Sequence, residues 1–208
     1  MRTLLRLFAL AAAFAFTTSC GDVARTGRAP VYLVIDTLQG AQGNHASTLA
    51  GGLTSDVLTF VTAPAPCSAT APCPTIFNDV GSAAFHLTAR DIGTPTSTLT
   101  PSLNNQVTIT RYRVVYRRAD GRNTPGVDVP FGFDGAITIT VPASGSATAG
   151  FELVRIVAKE ESPLRQLISS PTFISAIADV TFFGRDLVGN EINVTGSISI
   201  EFGNFGDS

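Results

Sequence analysis

The segment EINVTGSISIEF at 191–202 alternates without a break. Ile192, Val194, Gly196, Ile198, Ile200 and Phe202 fall on one side, and Glu191, Asn193, Thr195, Ser197, Ser199 and Glu201 on the other. A strand sends successive side chains to opposite faces, so this period of two demands a sheet with one face buried and one wet. The stretch AITITV at 136–141 repeats the rule, with Ile137, Ile139 and Val141 inward and Thr138 and Thr140 outward. Alternation of this kind favours antiparallel sheets, because parallel strands are buried on both faces and read as continuous apolar runs.

The rest of the chain is consistent with that frame. Candidate strands occupy 31–36, 55–61, 83–90, 106–118, 136–141, 151–158, 175–183 and 191–202, separated by clusters of Gly, Pro, Asn, Asp and Ser. No helical period stands out. SPLRQLISS at 162–170 supplies a short helical turn, with Ser162 as its N-cap and Pro163 at its first position. Strands of this number close either as a sandwich or as a barrel. The long, uneven connections at 37–54, 62–82, 91–105 and 119–135 favour the sandwich over an up-and-down barrel built on short hairpins.

One local pattern points the same way. VTFFGRDLVGNEINVTGSISIEF at 180–202 resembles the closing hairpin of bacterial extracellular immunoglobulin-like domains, whose last two strands often flank a D-x-x-G-N turn. Asp186, Gly189 and Asn190 match that turn. An Asp can cap such a turn and a Gly can take the left-handed conformation that completes it. The resemblance implies a fold class and no activity, since these domains do many jobs. The expected fold is therefore all-β: an antiparallel immunoglobulin-like β-sandwich of about eight strands, with one short helical turn near 162–170.

The N-terminus reads MRTLLRLFALAAAFAFTTSC. Arg2 and Arg6 precede an apolar stretch from Leu7 to Phe16, and small residues follow. This is the layout of a secretory signal, and the apolar stretch is too short to span a bilayer, which takes about 20 residues. Two readings compete at Cys20. One is an ordinary signal peptide with an incidental cysteine. The other rests on TTSC, which resembles the lipobox of bacterial lipoproteins, although Thr17 stands where leucine is commonest. That resemblance implies removal of 1–19 and lipidation of Cys20 as the first mature residue, with a diacylglyceryl group and usually an N-acyl chain. More than one acyl chain makes a stable anchor. Gly21, in place of an Asp after the cysteine, points to the outer membrane if the cell is Gram-negative. Residues 20–29 then form a flexible tether and 30–208 a single β-sandwich domain facing the periplasm or the cell surface.

Lipid on Cys20 leaves Cys67 and Cys73, six positions apart in TAPAPCSATAPCPT. In an oxidising compartment these form a disulfide, while their spacing matches no zinc site and neither His45 nor His86 lies nearby in sequence. The chain carries 14 Lys plus Arg against 16 Asp plus Glu, so no basic field recruits nucleic acid. Lysine occurs once, at Lys159, a scarcity attributed to genomic base composition.

Chemistry-bearing residues are sparse. The sequence has two histidines. His86 alternates with Phe85 and Leu87 and reads as an exposed strand residue, while His45 lies in a Gly-rich loop beside Ser47 without a nucleophile-elbow pattern. No phosphate loop, dinucleotide fingerprint or thiol redox pair occurs. In the loop 119–134, Asp120, Asp128 and Asp134 offer oxygens of the kind calcium takes, but their spacing matches no EF-hand, and Asp120–Gly121 and Asp134–Gly135 read as turns. Calcium is the one cofactor this leaves in view; otherwise none is expected. In RYRVVYRR, Arg111, Arg113 and Arg117 share one face, opposite Tyr112, Val114 and Tyr116. This strip suits an anionic polysaccharide, lipid headgroups or an acidic partner, or else a solvated face with cross-strand ion pairs. The leading expectation is a non-enzymatic binding or structural protein of the cell envelope, with membrane contact through Cys20 and an envelope protein or polysaccharide as partner. The alternatives are a carbohydrate-binding or adhesive module using the 119–134 loop and the arginine strip, and an envelope hydrolase.

Overall fold

A computed structural model describes residues 29–206. Cys20, the signal segment 1–19 and all of the 20–29 tether except Ala29 lie outside the described residues. The chain runs β1 (Val31–Ala41), a 3-10 turn (Gly43–His45), β2 (Gly52–Asp56), β3 (Thr59–Val61), β4 (Cys73–Thr75), β5 (Asp79–Ala89), β6 (Gly93–Thr94), β7 (Ser97–Thr98), a second 3-10 turn (Leu103–Asn105), β8 (Val107–Arg117), β9 (Phe133–Val141), β10 (Ser146–Val154), α1 (Ile156–Glu160), a third 3-10 turn (Leu164–Ser169), β11 (Ile174–Asp186) and β12 (Glu191–Gly203).

These strands build an all-β sandwich. One sheet has the order β1-β5-β10 and the other β2-β12-β11-β8-β9, with β3-β4 and β6-β7 as two small ribbons. The alternation in β12 is carried through: Ile198, Ile200 and Phe202 are buried, while Ser197, Ser199 and Glu201 are exposed. The inner faces meet through Phe85 of β5 and Phe182 of β11, whose rings pack edge-on at 4.8 Å. Phe151 and Tyr112 join Phe182 at 5.3 and 6.3 Å, which makes an aromatic cluster at the centre of the core. Edge-to-face rings contribute beyond their buried area because the positive edge of one meets the negative face of another.

The closing hairpin shows how its turn is fixed. The Asp186 carboxylate accepts bonds from the backbone N–H of Val188 (3.1 Å) and Asn190 (2.8 Å), and from the Asn190 side chain (2.7 Å). Gly189 takes φ 86°, a left-handed conformation that only glycine adopts without strain. Asp186 is itself buried, so this capping also satisfies a carboxylate that would otherwise lack partners.

Several expectations need correction. The sheets are not wholly antiparallel, because β2 runs parallel to β12, from Ser199↔Gly52 to Gly203↔Asp56. The loop after β1 carries the chain from one sheet to the other, so β2 arrives in the same direction as the last strand. The strand expected over 55–61 is two strands, broken at Val57 and Leu58, where Val57 donates to Gly203 O (2.9 Å). The strand expected over 151–158 ends at Val154, and α1 follows. Ser162 does not cap the turn at 164–169; Pro163 occupies that position, and Ser162 Oγ accepts from Gln166 Nε2 at 3.3 Å. Asp134–Gly135 is no turn but lies within β9, and a side chain at 135 would run into the Tyr112 ring directly opposite.

Cys67 and Cys73 form a disulfide with their Cα atoms 5.4 Å apart, beside the β3-β4 ribbon that Cys73 opens. The closed loop is short, so the constraint it puts on the unfolded chain is worth about 2 kcal/mol. Reduction is expected to cost about that much in urea denaturation measured with and without a phosphine reductant. A Cys67→Ser/Cys73→Ser double variant should not respond to the reductant. A loss above about 4 kcal/mol would mean that the bridge holds more than its own loop.

Candidate functional site

The arginine strip forms as expected and is already occupied. A bulge between Ile109 and Arg111 resets the alternation of β8, so Tyr112, Val114 and Tyr116 turn inward and Arg111, Arg113 and Arg117 outward. Arg111 donates to Asp134 at 2.6 Å and Arg113 to the same carboxylate through Nε and Nη2, at 3.0 to 3.2 Å. Arg117 donates to Asp179 at 2.6 Å, and Ser197 does so at 2.6 Å. Bonds from Arg113 and Arg111 hold the Asp134 carboxyl below its ordinary range. Partial burial pushes Asp179 up, but the bonds from Arg117 and Ser197 outweigh it and the net shift is downward. This is the cross-strand pairing by which charged residues stabilise an open sheet face.

The three aspartates of the 119–134 loop are turned to three different tasks. Asp120 is gripped by Arg118 and Arg122, at 2.7 and 3.0 Å, and those bonds hold its carboxyl well below its ordinary value. Asp128 accepts from Thr124 N at 3.2 Å. Asp134 belongs to the arginine strip. Among the described residues, no group of three or more His, Cys, Asp or Glu side chains is arranged to hold a metal ion. His86 is half-buried and bonded rather than simply exposed: Nδ1 lies 2.6 Å from Asp36 and Nε2 3.1 Å from Thr88. His45 is exposed in the first 3-10 turn, where its backbone N–H donates to Gln42 O and its carbonyl accepts from Thr48 N.

Two features escaped the sequence. The first is an open groove of about 630 Å³ between the sheets, bordered by Leu49, Gly81, Tyr112, Gly135, Phe151, Glu152 and Arg155. Gly135 lies under the Tyr112 ring and Gly81 under the Phe151 ring, so each ring rests on its cross-strand partner's backbone where a side chain would collide with it. Burial raises the Tyr112 phenol above its ordinary value, so it remains a neutral hydrogen-bonding group; its oxygen accepts from Glu152 N at 3.2 Å. Arg155 lies over the Phe133 ring at 3.9 Å and donates to Asp134 O at 2.8 Å, while Glu152 accepts from Asn78 at 2.9 Å. The groove thus offers aromatic and apolar walls with one acid and one base at its rim, an arrangement suited to holding a ligand in a fixed orientation.

The second is a polar cluster in the core. Lys159, the sole lysine, is 1% exposed, and its Nζ donates to Asp79 Oδ1 at 2.9 Å and to Asp56 O at 2.7 Å. Asp79, also 1% exposed, accepts at Oδ2 from Ser55 Oγ (2.6 Å) and at Oδ1 from Gly43 N (3.1 Å). Burial raises the Asp79 carboxyl above its ordinary range, against the opposing pull of Lys159, Ser55 and Gly43. Tyr116 stands close by; burial lifts its phenol far above its ordinary value, and it donates to Leu153 O at 2.7 Å. The only sequence signal was the isolation of a single lysine in an arginine-using chain.

The class that fold and site define is an all-β sandwich with a ligand-sized groove and a buried ion pair. Comparison with family models, curated proteins and solved structures returned no match.

Proposed function

We propose that the chain is a lipid-anchored protein of the cell envelope, favoured at the outer membrane, whose sandwich has a non-enzymatic binding or structural role. The observation that carries this reading is the TTSC sequence at the end of the apolar N-terminal stretch, and the polarity of β1 then sets where the groove would face. Val31, which continues from the proposed tether, pairs with Ala89, whereas Gly40 and Ala41 pair with Gly81 and Val80 at the groove. At 3.3 Å per residue the strand sets these ends about 30 Å apart. An anchor on Cys20 therefore leaves the groove at the end of the domain remote from the membrane, open to an envelope protein or polysaccharide.

The adhesive alternative through Arg111, Arg113 and Arg117 has less support, since each guanidinium already pairs with a carboxylate. A second anion would have to displace those partners. The anchor is tested by metabolic labelling with radioactive palmitate in a bacterial host. The wild type is expected to incorporate label and Cys20→Ala to incorporate none. Equal labelling of the two would remove the anchor from the account.

A further inference from the structure

We propose that Lys159 and Asp79 are a self-modifying pair that joins as an intramolecular amide between Lys159 Nζ and Asp79 Cγ, with loss of one water. The geometry is that of two reactants held in place. The amine nitrogen lies 2.9 Å from a carboxylate oxygen, and both side chains are 1% exposed. Fixed proximity of this kind replaces a bimolecular encounter and removes much of the entropic part of the barrier.

The surroundings supply what the chemistry needs. In the proposed reaction a proton first passes from Lys159 Nζ to Asp79 Oδ1 across the 2.9 Å contact, giving an amine and a carboxylic acid, the uncharged pair that a dry site favours. The raised carboxyl of Asp79 is consistent with that transfer. The amine then attacks Cγ. Ser55 Oγ donates to Oδ2 at 2.6 Å and stabilises the charge that develops there, as oxyanion donors do. Oδ1 leaves as water with two of the protons that began on nitrogen, and Oδ2 remains as the amide oxygen. Ammonium plus carboxylate give amide plus water, so atoms and charge balance without an oxidant, a metal or a co-reactant.

The position gives the bond a purpose. It would join β5, in the three-stranded sheet, to α1, which packs beside β2 of the other sheet through Asp56. The two residues lie 80 positions apart, so the link would close 79–159, a little under half of the domain, into a covalent loop. Such a lock suits a protein held under load or exposed to proteases, and it is independent of how the chain is anchored.

The test is a tryptic map of the folded, purified full chain. Trypsin cuts after an unmodified lysine, so a separate pair leaves Lys159 at the end of a peptide spanning 156–159. The amide removes that cleavage and yields one branched peptide that joins 29–90 to 156–165, lighter than the sum of its parts by one water. The wild type is expected to give the branched peptide, and Lys159→Arg and Asp79→Ala to lack it. Recovery of 156–159 in full yield from the wild type overturns the proposal, as does a water loss mapped to any other peptide. The wild-type map decides the matter even if neither variant folds.

Discussion

Asp79→Ala is expected to destabilise the domain by about 3–5 kcal/mol, the cost of leaving one member of a buried ion pair without the other. The substitution strands Lys159 Nζ on the Asp56 carbonyl alone and takes the acceptor from Ser55 Oγ and Gly43 N. Each buried donor without an acceptor carries its own desolvation cost. An amide between the two side chains would add to the loss. A pair of apolar residues behaves differently: Lys159→Met combined with Asp79→Leu removes both charges and leaves only the neutral donors Ser55 Oγ and Gly43 N to find other acceptors. It should therefore be more stable than either single variant, since an apolar replacement for a buried pair is often neutral or better. Urea denaturation of the four proteins, with m unchanged, measures this directly. Equal stability of Asp79→Ala and the wild type would mean that the cluster contributes nothing.

Phe182→Ala should cost a similar amount, about 3–5 kcal/mol, through a different mechanism. Phe182 is fully buried and touches the rings of Phe85 and Phe151 from the opposite sheet. Truncation removes buried apolar surface and leaves a cavity between two rigid sheets that cannot collapse to fill it. Phe182→Leu keeps most of the volume, and its loss should be about 1 to 1.5 kcal/mol. Thermal and urea unfolding of the two variants separate the cases. A loss below about 1 kcal/mol for the alanine variant would show that the sheets do not meet through this cluster.

The parts of the fold legible in the sequence are those whose cause is local. The alternation of β9 and β12 records which face of each strand meets the core, and burial follows it residue by residue. The Asp186 turn was legible because its hydrogen bonds and its left-handed glycine all lie within five residues. What was not legible depends on distant partners. The five residues of α1 are too few to show a helical period, and the partner of their buried lysine, Asp79, lies 80 positions away in sequence. The parallel direction of β2 is set by the crossing loop, which an isolated five-residue strand does not record. In the same way, the arginine strip was visible as a row of like charges, but Asp134 and Asp179, the acids that neutralise it, come from two other strands.

The central functional claim is that Cys20 ties this sandwich to a membrane. Fractionation of an expressing bacterium tests it most directly, with the wild type and Cys20→Ala compared side by side. The wild type is expected to sediment with membranes, to resist extraction by high salt and to dissolve in detergent, whereas Cys20→Ala appears in the soluble periplasmic fraction. Wild type in the soluble fraction, or Cys20→Ala still bound to membranes after a salt wash, would contradict the account.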